Sequence, residues 1–570
     1  MDDTLVIGID FGTTFSGVAA AYSANPESPD ELNIIKTWPG GNNITSDKVP
    51  SEVAYGGHHG AASTSRDSKL TINGKRKFDA ISSDGSNSKD GQMRWGLQIK
   101  PDEDRLRCLK LLLDPSQHIP DHVMLPDVRH QLMACGKDVK TIVAEYLRAV
   151  YDHTKVILGR RYGQAFVSAT KLTVILTVPA VWSDAAKDAT LKAAEAAGMG
   201  GSLAMISEPE AAAVYTLQAM QPNHLKIGHN FVVIDAGGGT VDLISYSIRQ
   251  LKPLRLEELA KGSGGFCGAA FLNNRFEQFV RQKLGLTAFD TIRTTKPKSC
   301  LMALKYFEDY VKRNFDPDDD DTFNIPFPGV PDNEKAGIED GFLIIGSGLQ
   351  ANGLVLVGGF GQSECLLKAL QTRFSGGVHG IEVLQPVNAW TAVVRGAVLR
   401  GLEGAEMVTN RKARRHYGVR CSEAFDPSIH PISCRTWDID EESWRANHRM
   451  SWFISKGQTV SSTKPVVFPF YRTFAAGDSK TVTSELIIAD GDVAPKGWSS
   501  ALGSDTRVAC RMTVNLNAVP AKLWKTKCNP KGKVYQQLDY NIGMQIESGG
   551  LRFDFRIGDV VYGKVNATFT

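Results

Sequence analysis

Long hydrophobic runs are missing from this chain. No stretch of 18 apolar residues occurs in its 570, so no segment reads as a membrane-spanning helix. The most apolar segments, 172–179 and 342–359, are short or broken by glycine. Cysteine is sparse: nine residues, none spaced Cys-x-x-Cys, which argues against a disulfide framework and a zinc site. Neither sign of charge dominates, with 65 Lys+Arg against 62 Asp+Glu. At 42% hydrophobic and 22% charged, the composition excludes a largely disordered, collagen-like or multi-spanning chain. The start, Met1-Asp2-Asp3-Thr4, lacks the basic region of a secretory signal. A reducing, cytoplasmic location is the expectation. The length exceeds what one hydrophobic core usually supports, so two or three domains are expected.

An α/β pattern fills roughly the first 400 residues. Strands are expected at 5–10, 17–22, 173–178, 231–235, 241–248 and 354–357. Ser183 is placed to cap a helix that ends at Gly198, and a second helix is expected from about Ser363 to Phe374. Segments 56–91 and 316–331 read as loops from their Gly, Ser, Asn, Asp and Pro content. The acidic run in the latter lacks the spaced glycine and glutamate of an EF-hand calcium loop. Beyond about Met407 short alternating runs take over at 466–474, 508–516, 540–546 and 551–557, predicting a β-rich domain. This C-terminal part, 409–570, carries 23 Lys+Arg against 15 Asp+Glu. A protein client or adaptor partner, of acidic character, would suit that surface. Nucleic acid suits it less, because the aromatics alternate along strand runs and fit a core.

One internal repeat carries the chemistry. Val6-Ile7-Gly8-Ile9-Asp10-Phe11-Gly12-Thr13-Thr14 recurs as Val232-Val233-Ile234-Asp235-Ala236-Gly237-Gly238-Gly239-Thr240. Each copy is an apolar strand, an aspartate at its end and a glycine-threonine turn. The glycines let backbone N–H groups approach phosphate oxygens, and the threonine hydroxyls add donors. The aspartates can hold hydrated Mg²⁺ beside those phosphates. Glu208 opens a helix, with Pro209 at a first-turn position where proline is tolerated. Its carboxylate is suited to orient a water or bind hydrated metal, or simply to cap the helix. Gly358-Gly359-Phe360-Gly361 makes a further close-approach turn ahead of a helix, suited to a ribose or adenine. Asp309, Lys312 and Arg313 lie on an expected helix that can present a cation to the adenine.

These segments resemble the 70-kDa heat-shock protein family of the actin-like ATPase superfamily. The motifs are Ile9-Asp10-Phe11-Gly12-Thr13-Thr14-Phe15-Ser16, Val178-Pro179-Ala180, Glu208-Pro209, Asp235-Ala236-Gly237-Gly238-Gly239-Thr240-Val241-Asp242 and Leu356-Val357-Gly358-Gly359. Within the family, Leu109–Pro115 and Gly358–Ser363 are similar to the divergent member-12-like branch. The resemblance implies a two-lobed, duplicated ribonuclease-H-like ATPase domain over 1–405. Lobe I would cover about 1–215 and lobe II about 216–385, with a return to lobe I. It also implies that 409–570 is a degenerate, lidless substrate-binding domain. Asp10, Lys110, Glu208 and Asp235 match the family's catalytic positions, with Asp10 and Asp235 on the metal mainly through water. Gly12, Thr13, Thr14, Phe15, Gly237, Gly238, Gly239 and Thr240 match its phosphate turns. Gly358, Gly359, Phe360 and Gly361 match its adenosine turn. ATP or ADP and Mg²⁺ are the implied ligands.

Three departures stand beside these matches. The family's acidic Gly-Gly-Glu-Asp segment is replaced by Gly265-Phe266-Cys267-Gly268-Ala269-Ala270. Its apolar interdomain linker is replaced by the polar, basic 402–415, and no helical lid is expected. The expected activity is slow Mg²⁺-dependent ATP hydrolysis driving a conformational switch. The alternatives are a nucleotide-binding scaffold with negligible hydrolysis and, ranked last, a small-molecule kinase of the same superfamily.

Overall fold

The computed structural model describes residues 3–569 apart from 26–27, 56–92, 101–102, 115–131, 134, 220–225, 266–267, 313–322, 329–337, 340–341, 346–355, 373–382, 405–406, 440, 476–477, 499–504, 518 and 530. The expected loop at 56–91, with Arg313 and Phe374, lies outside the described residues.

The first lobe is built on the hairpin of β1 (Thr4–Asp10) and β2 (Phe15–Tyr22). Both faces of β1 are apolar, and Leu5, Val6, Ile7 and Ile9 are all buried. A strand of that composition needs cover on both sides. β3 (Lys48–Pro50) extends the sheet beyond β2. Helix α1 (Val139–Tyr162) begins at Asp138, whose side chain accepts from the Thr141 N–H at 2.8 Å. It lays Ile142, Val143, Leu147 and Val150 into a core with Leu5, Ile7 and Ile9. Fully burying each such side chain is worth about 1.5–3 kcal/mol. β4 (Lys171–Val178) runs parallel to β1. Helix α2 (Asp184–Ala194) is capped by the Ser183 hydroxyl, as its sequence predicts. It continues through a wider turn, Glu195–Met199, in which Gly198 takes φ +91°. β5 (Leu203–Ser207) then runs straight into α3 (Glu208–Ala219).

The second lobe repeats the hairpin with β6 (Asn230–Ala236) and β7 (Val241–Leu251), followed by β8 (Leu254–Glu258). Helix α4 (Ala269–Leu284) follows, then α5 (Pro297–Tyr306), and β9 (Leu356–Val357) pairs parallel to β6. Helix α6 (Ala392–Glu403) returns to the first lobe. A single buried cluster joins Val6 and Ile175 of the first sheet, Ala212 and Val214 of α3, Val394 and Val398 of α6, and Tyr246 and Leu256 of the second sheet. Helices α3 and α6 therefore lie between the two sheets.

One expected loop is partly a strand. Phe323–Pro326, inside 316–331, pairs antiparallel with Phe342–Ile345. The neighbouring Phe327 is buried with Phe276 and Phe289, so tertiary packing overrides the acidic, proline-containing composition.

The polar linker also becomes a strand. β10 (Val408–Lys412) pairs parallel with β8 and antiparallel with β11 (Thr459–Ser461), which extends the second lobe's sheet into the C-terminal region. That region is a sandwich of antiparallel sheets. One runs in the order Arg435–Asp438, Ser443–Ile454, His416–Ala424, Thr481–Ala489, Thr506–Asn515 and Asn566–Phe569; the other holds Val466–Phe474, Val534–Glu547, Gly550–Ile557 and Val560–Lys564. Tyr417, Ile454, Leu486 and Met512 from the first meet Phe468, Ile542 and Phe553 from the second in one core. The α/β lobes with a β-rich C-terminal region are the architecture the sequence predicts. No helix among the described residues is long and apolar enough to cross a membrane.

Candidate functional site

The two repeated turns face each other. In the hairpin registers, Asp10 pairs with Gly17 and Asp235 with Asp242, so each motif aspartate ends its strand at the turn. Thr13 and Thr14 of the first turn lie against Gly239 and Gly238 of the second. A Cβ on Gly239 would stand 2.8 Å from the Thr13 hydroxyl, and one on Gly238 would overlap the Thr14 hydroxyl. Between and beside the turns opens a cleft of about 770 Å³, within the range that takes a small-molecule ligand. Asp10, Gly12, Thr13, Thr14, Phe15, Lys110, Glu208, Asp235, Gly237, Gly238, Gly239 and Thr240 all line it.

The floor is densely charged. Lys110 lies on the short helical turn Leu109–Leu113 and donates to Glu208 Oε1. Its ammonium also stands over the Trp182 ring at 5.6 Å and the Phe11 ring at 5.9 Å. Lys48, from β3, donates to Asp10 Oδ2 at 2.6 Å, and the Thr177 hydroxyl donates to Oδ1 at 3.2 Å. Burial pushes the Glu208 carboxyl up to about 7 against the pull of Lys110, with Asp10 and Asp242 adding to the rise. Burial also holds Asp235 well above the usual carboxylate range, reinforced by Glu208, Asp242 and Asp10 and opposed by Lys48. Asp242 is raised by burial, against the Thr240 hydroxyl and Lys110. Such crowding of like-charged groups is typical of a site built to receive a cationic or proton-exchanging ligand.

The far wall comes from the third glycine turn. Gly358 takes φ +90°, and a Cβ there would press to 2.6 Å from Asp235 Oδ1. Gly359 and Phe360 line the cleft, while Gly361 sits behind them and its carbonyl accepts from Gln385 at 2.5 Å. Lys312 also lines the cleft and donates to Glu308 at 2.6 Å and to the Ala269 carbonyl at 3.3 Å. The Asp309 side chain and Arg313 lie outside the described residues; Lys305 and Glu308 line the wall beside Lys312. The segment that departs from the family's acidic motif hangs from the second turn. Ala269 and Ala270 N–H groups donate to the Gly237 and Gly238 carbonyls at 3.0 and 2.8 Å.

Comparison with known proteins finds similar chains. The family model described as Hsp70 protein matches residues 142–332. Human heat shock 70 kDa protein 12B is 23% identical, over 75% of this chain and 73% of its own length. Mouse heat shock 70 kDa protein 12A is 24% identical over the same shares. The chain is therefore similar to the Hsp70 family. The likeness is to the divergent member-12 proteins, and at family level it supports a nucleotide-binding, chaperone-like ATPase. A chaperone protein HscA homolog of Aliivibrio salmonicida is 28% identical over half of this chain and 38% of its own length.

The fold family implies Mg²⁺ with the nucleotide. Among the described residues no three His, Cys, Asp or Glu side chains stand together closely enough to hold an ion directly. Asp10, Glu208 and Asp235 nonetheless present an all-oxygen donor set on one cleft, which fits a hard cation held through its own waters.

Sequence reasoning missed Lys48 and Thr177, the two groups that contact Asp10, because neither belongs to a motif. It also missed the junction behind the cleft. Arg411 of β10 donates to Glu210 at 2.9 Å and to Glu258 at 3.2 Å, and Ser548 of the C-terminal sandwich donates to Glu210 at 2.5 Å. The Ser207 N–H in turn donates to the Ser548 hydroxyl at 2.7 Å. Arg411 and His416 are buried, so the basic run 411–416 is not the free cationic surface its sequence suggests.

Proposed function

We propose that this chain binds ATP and ADP between its lobes and hydrolyses ATP slowly, using lobe closure as a conformational switch on a protein partner. The reading is best supported by the two glycine-threonine turns meeting across one cleft, each ending at an aspartate. Residues 1–405 are the nucleotide-binding part and 409–570 an accessory part resembling a degenerate substrate-binding domain. The backbone N–H groups and hydroxyls of Gly12–Thr14 and Gly238–Thr240 cradle the phosphates, and the Gly358–Gly361 turn takes the adenosine, with Lys312 at its edge. Lys110 stabilises charge developing on the γ-phosphoryl group, for which phosphoryl transfer relies on positioned cations. Glu208, held near neutrality by burial, takes the proton of the attacking water. Asp10 and Asp235 would hold Mg²⁺ through its waters, and the metal would supply neutralisation of phosphate charge. The cytoplasm is the expected location.

Calorimetry tests the reading. Asp10→Asn with Asp235→Asn weakens nucleotide binding in Mg²⁺ buffer or abolishes turnover, and wild-type behaviour of the double variant ends it. Lys110→Ala lowers single-turnover hydrolysis by roughly 10²-fold with little change in affinity. Binding without turnover in the wild type selects the scaffold alternative.

For the C-terminal part we propose an acidic protein partner, recruited by the strand-edge lysines 522–533. Several of these are already paired, Lys525 with Asp539 and Lys531 with Glu442, so the attraction is modest and screened. Partners of the full chain captured at low salt are released as salt rises, since exposed charges are screened over about 8–10 Å at physiological ionic strength. Undiminished capture at high salt refutes the electrostatic account.

A further inference from the structure

Strand β3 supplies a cation that the turn motifs do not contain. Lys48 is its first residue and pairs across β2 with Gly17. The Lys48 stem runs against Gly17, 3.1 Å from where a Cβ would stand, so a side chain at 17 would push the lysine out of the cleft. Lys48 is 6% exposed, lines the cleft, and holds Asp10 Oδ2 at 2.6 Å. The other Asp10 oxygen is taken by the Thr177 hydroxyl. Asp235, on the opposite turn, makes no ion pair among the described residues.

A strand-end aspartate and a polyphosphate are both anions. In a partly dehydrated cleft they repel unless a cation lies between them. A hydrated metal is the usual bridge. In this chain an ammonium already sits on the aspartate. It has three N–H donors and Asp10 uses one, which leaves two for phosphate oxygens. We infer that Lys48 is a built-in counter-cation that binds the nucleotide's phosphates from Asp10, so that the affinity for ADP depends little on Mg²⁺. The inference deepens the nucleotide reading above and rests on it.

The experiment is ADP titration of the full chain by calorimetry, in Mg²⁺ and in EDTA, for wild type, Lys48→Thr and Lys48→Arg. The wild-type affinity changes less than about tenfold between the two buffers. Lys48→Thr loses roughly tenfold or more in EDTA, the scale of one charge-assisted hydrogen bond, and Mg²⁺ restores it. Lys48→Arg keeps the wild-type ratio. A thermal melt of each variant identifies any that fails to fold, and the wild-type ratio stands without variants. A wild-type dependence on Mg²⁺ above about tenfold overturns the inference and leaves the nucleotide reading intact. So does a Lys48→Thr loss that is equal in both buffers. Absence of ADP binding by the wild type in both buffers overturns the nucleotide reading and this inference together.

Discussion

Glu208 and Glu210 sit two residues apart in the first turn of α3, and they face different regions of the molecule. Side chains at i and i+2 of a helix do not share a face. Glu208 looks into the cleft, where several carboxylates crowd a void and Lys110 is its close partner. Glu210 is fully buried at the junction, bonded to Arg411 from the linker strand and Ser548 from the sandwich. The residue type and the helix are the same. What differs is whether the surroundings leave space. A buried acid beside a cavity keeps a shifted proton equilibrium available for chemistry. A buried acid enclosed by donors from distant segments fixes those segments to one another.

The largest expected effect separates the two in activity. Glu208→Gln lowers single-turnover hydrolysis by roughly 10²–10³-fold, the scale of losing a general base, while ADP affinity stays within about threefold of wild type. Glu210→Gln leaves the chemical step within about fivefold, because it touches no reacting atom. Equal losses in the two variants would break the comparison.

A smaller effect separates them in stability. Arg411→Met strands Glu210 and Glu258 without their cation, and breaking one side of a buried pair costs about 3–5 kcal/mol. Denaturant unfolding reads it. The double variant Glu210→Gln with Arg411→Met recovers part of the loss; full additivity would mean that the two do not act as a pair.

The third effect is pH-dependent. Glu208 keeps its proton in the folded state up to about 7, whereas an unfolded glutamate loses it near 4.3. Between those values the folded chain binds more protons, so nucleotide-free stability falls as pH rises through this window and the contribution levels off above about 7. The size is roughly 3–4 kcal/mol at most. Glu208→Gln flattens that slope, measured as unfolding midpoint against pH. An unchanged slope in the variant would assign it to another carboxyl.

The smallest effect tests the junction itself. Lys187 is buried there, and burial together with Arg414 pushes its ammonium down to about 8. At pH 7 it is still charged, at a cost. Lys187→Met is therefore neutral or stabilising by up to about 1 kcal/mol. A clear loss of stability would make Lys187 a required partner rather than a tolerated charge.

Legibility divides along similar lines. The Ser183 cap, the hairpins ending at Asp10 and Asp235, and the run 466–474 were readable because neighbours in sequence make them. The strand Phe323–Pro326 was not, because its partner Phe342–Ile345 and the buried Phe327 outweigh its local composition. Lys110 could be reached only through resemblance to a family. Its pairing with Glu208 spans 98 positions, and no spacing rule connects them.

The sequence by itself determined the two strand–aspartate–glycine units and the α/β-then-β order of the chain, since each follows from periodicity and turn requirements within a few residues. Tertiary structure alone decided which charges meet. Lys48 reaches Asp10 across 38 positions, Arg411 reaches Glu210 across 201 and Ser548 reaches Glu210 across 338. Burial makes those pairings necessary, because a charge withdrawn from water must find its counter-charge wherever the packed chain brings one.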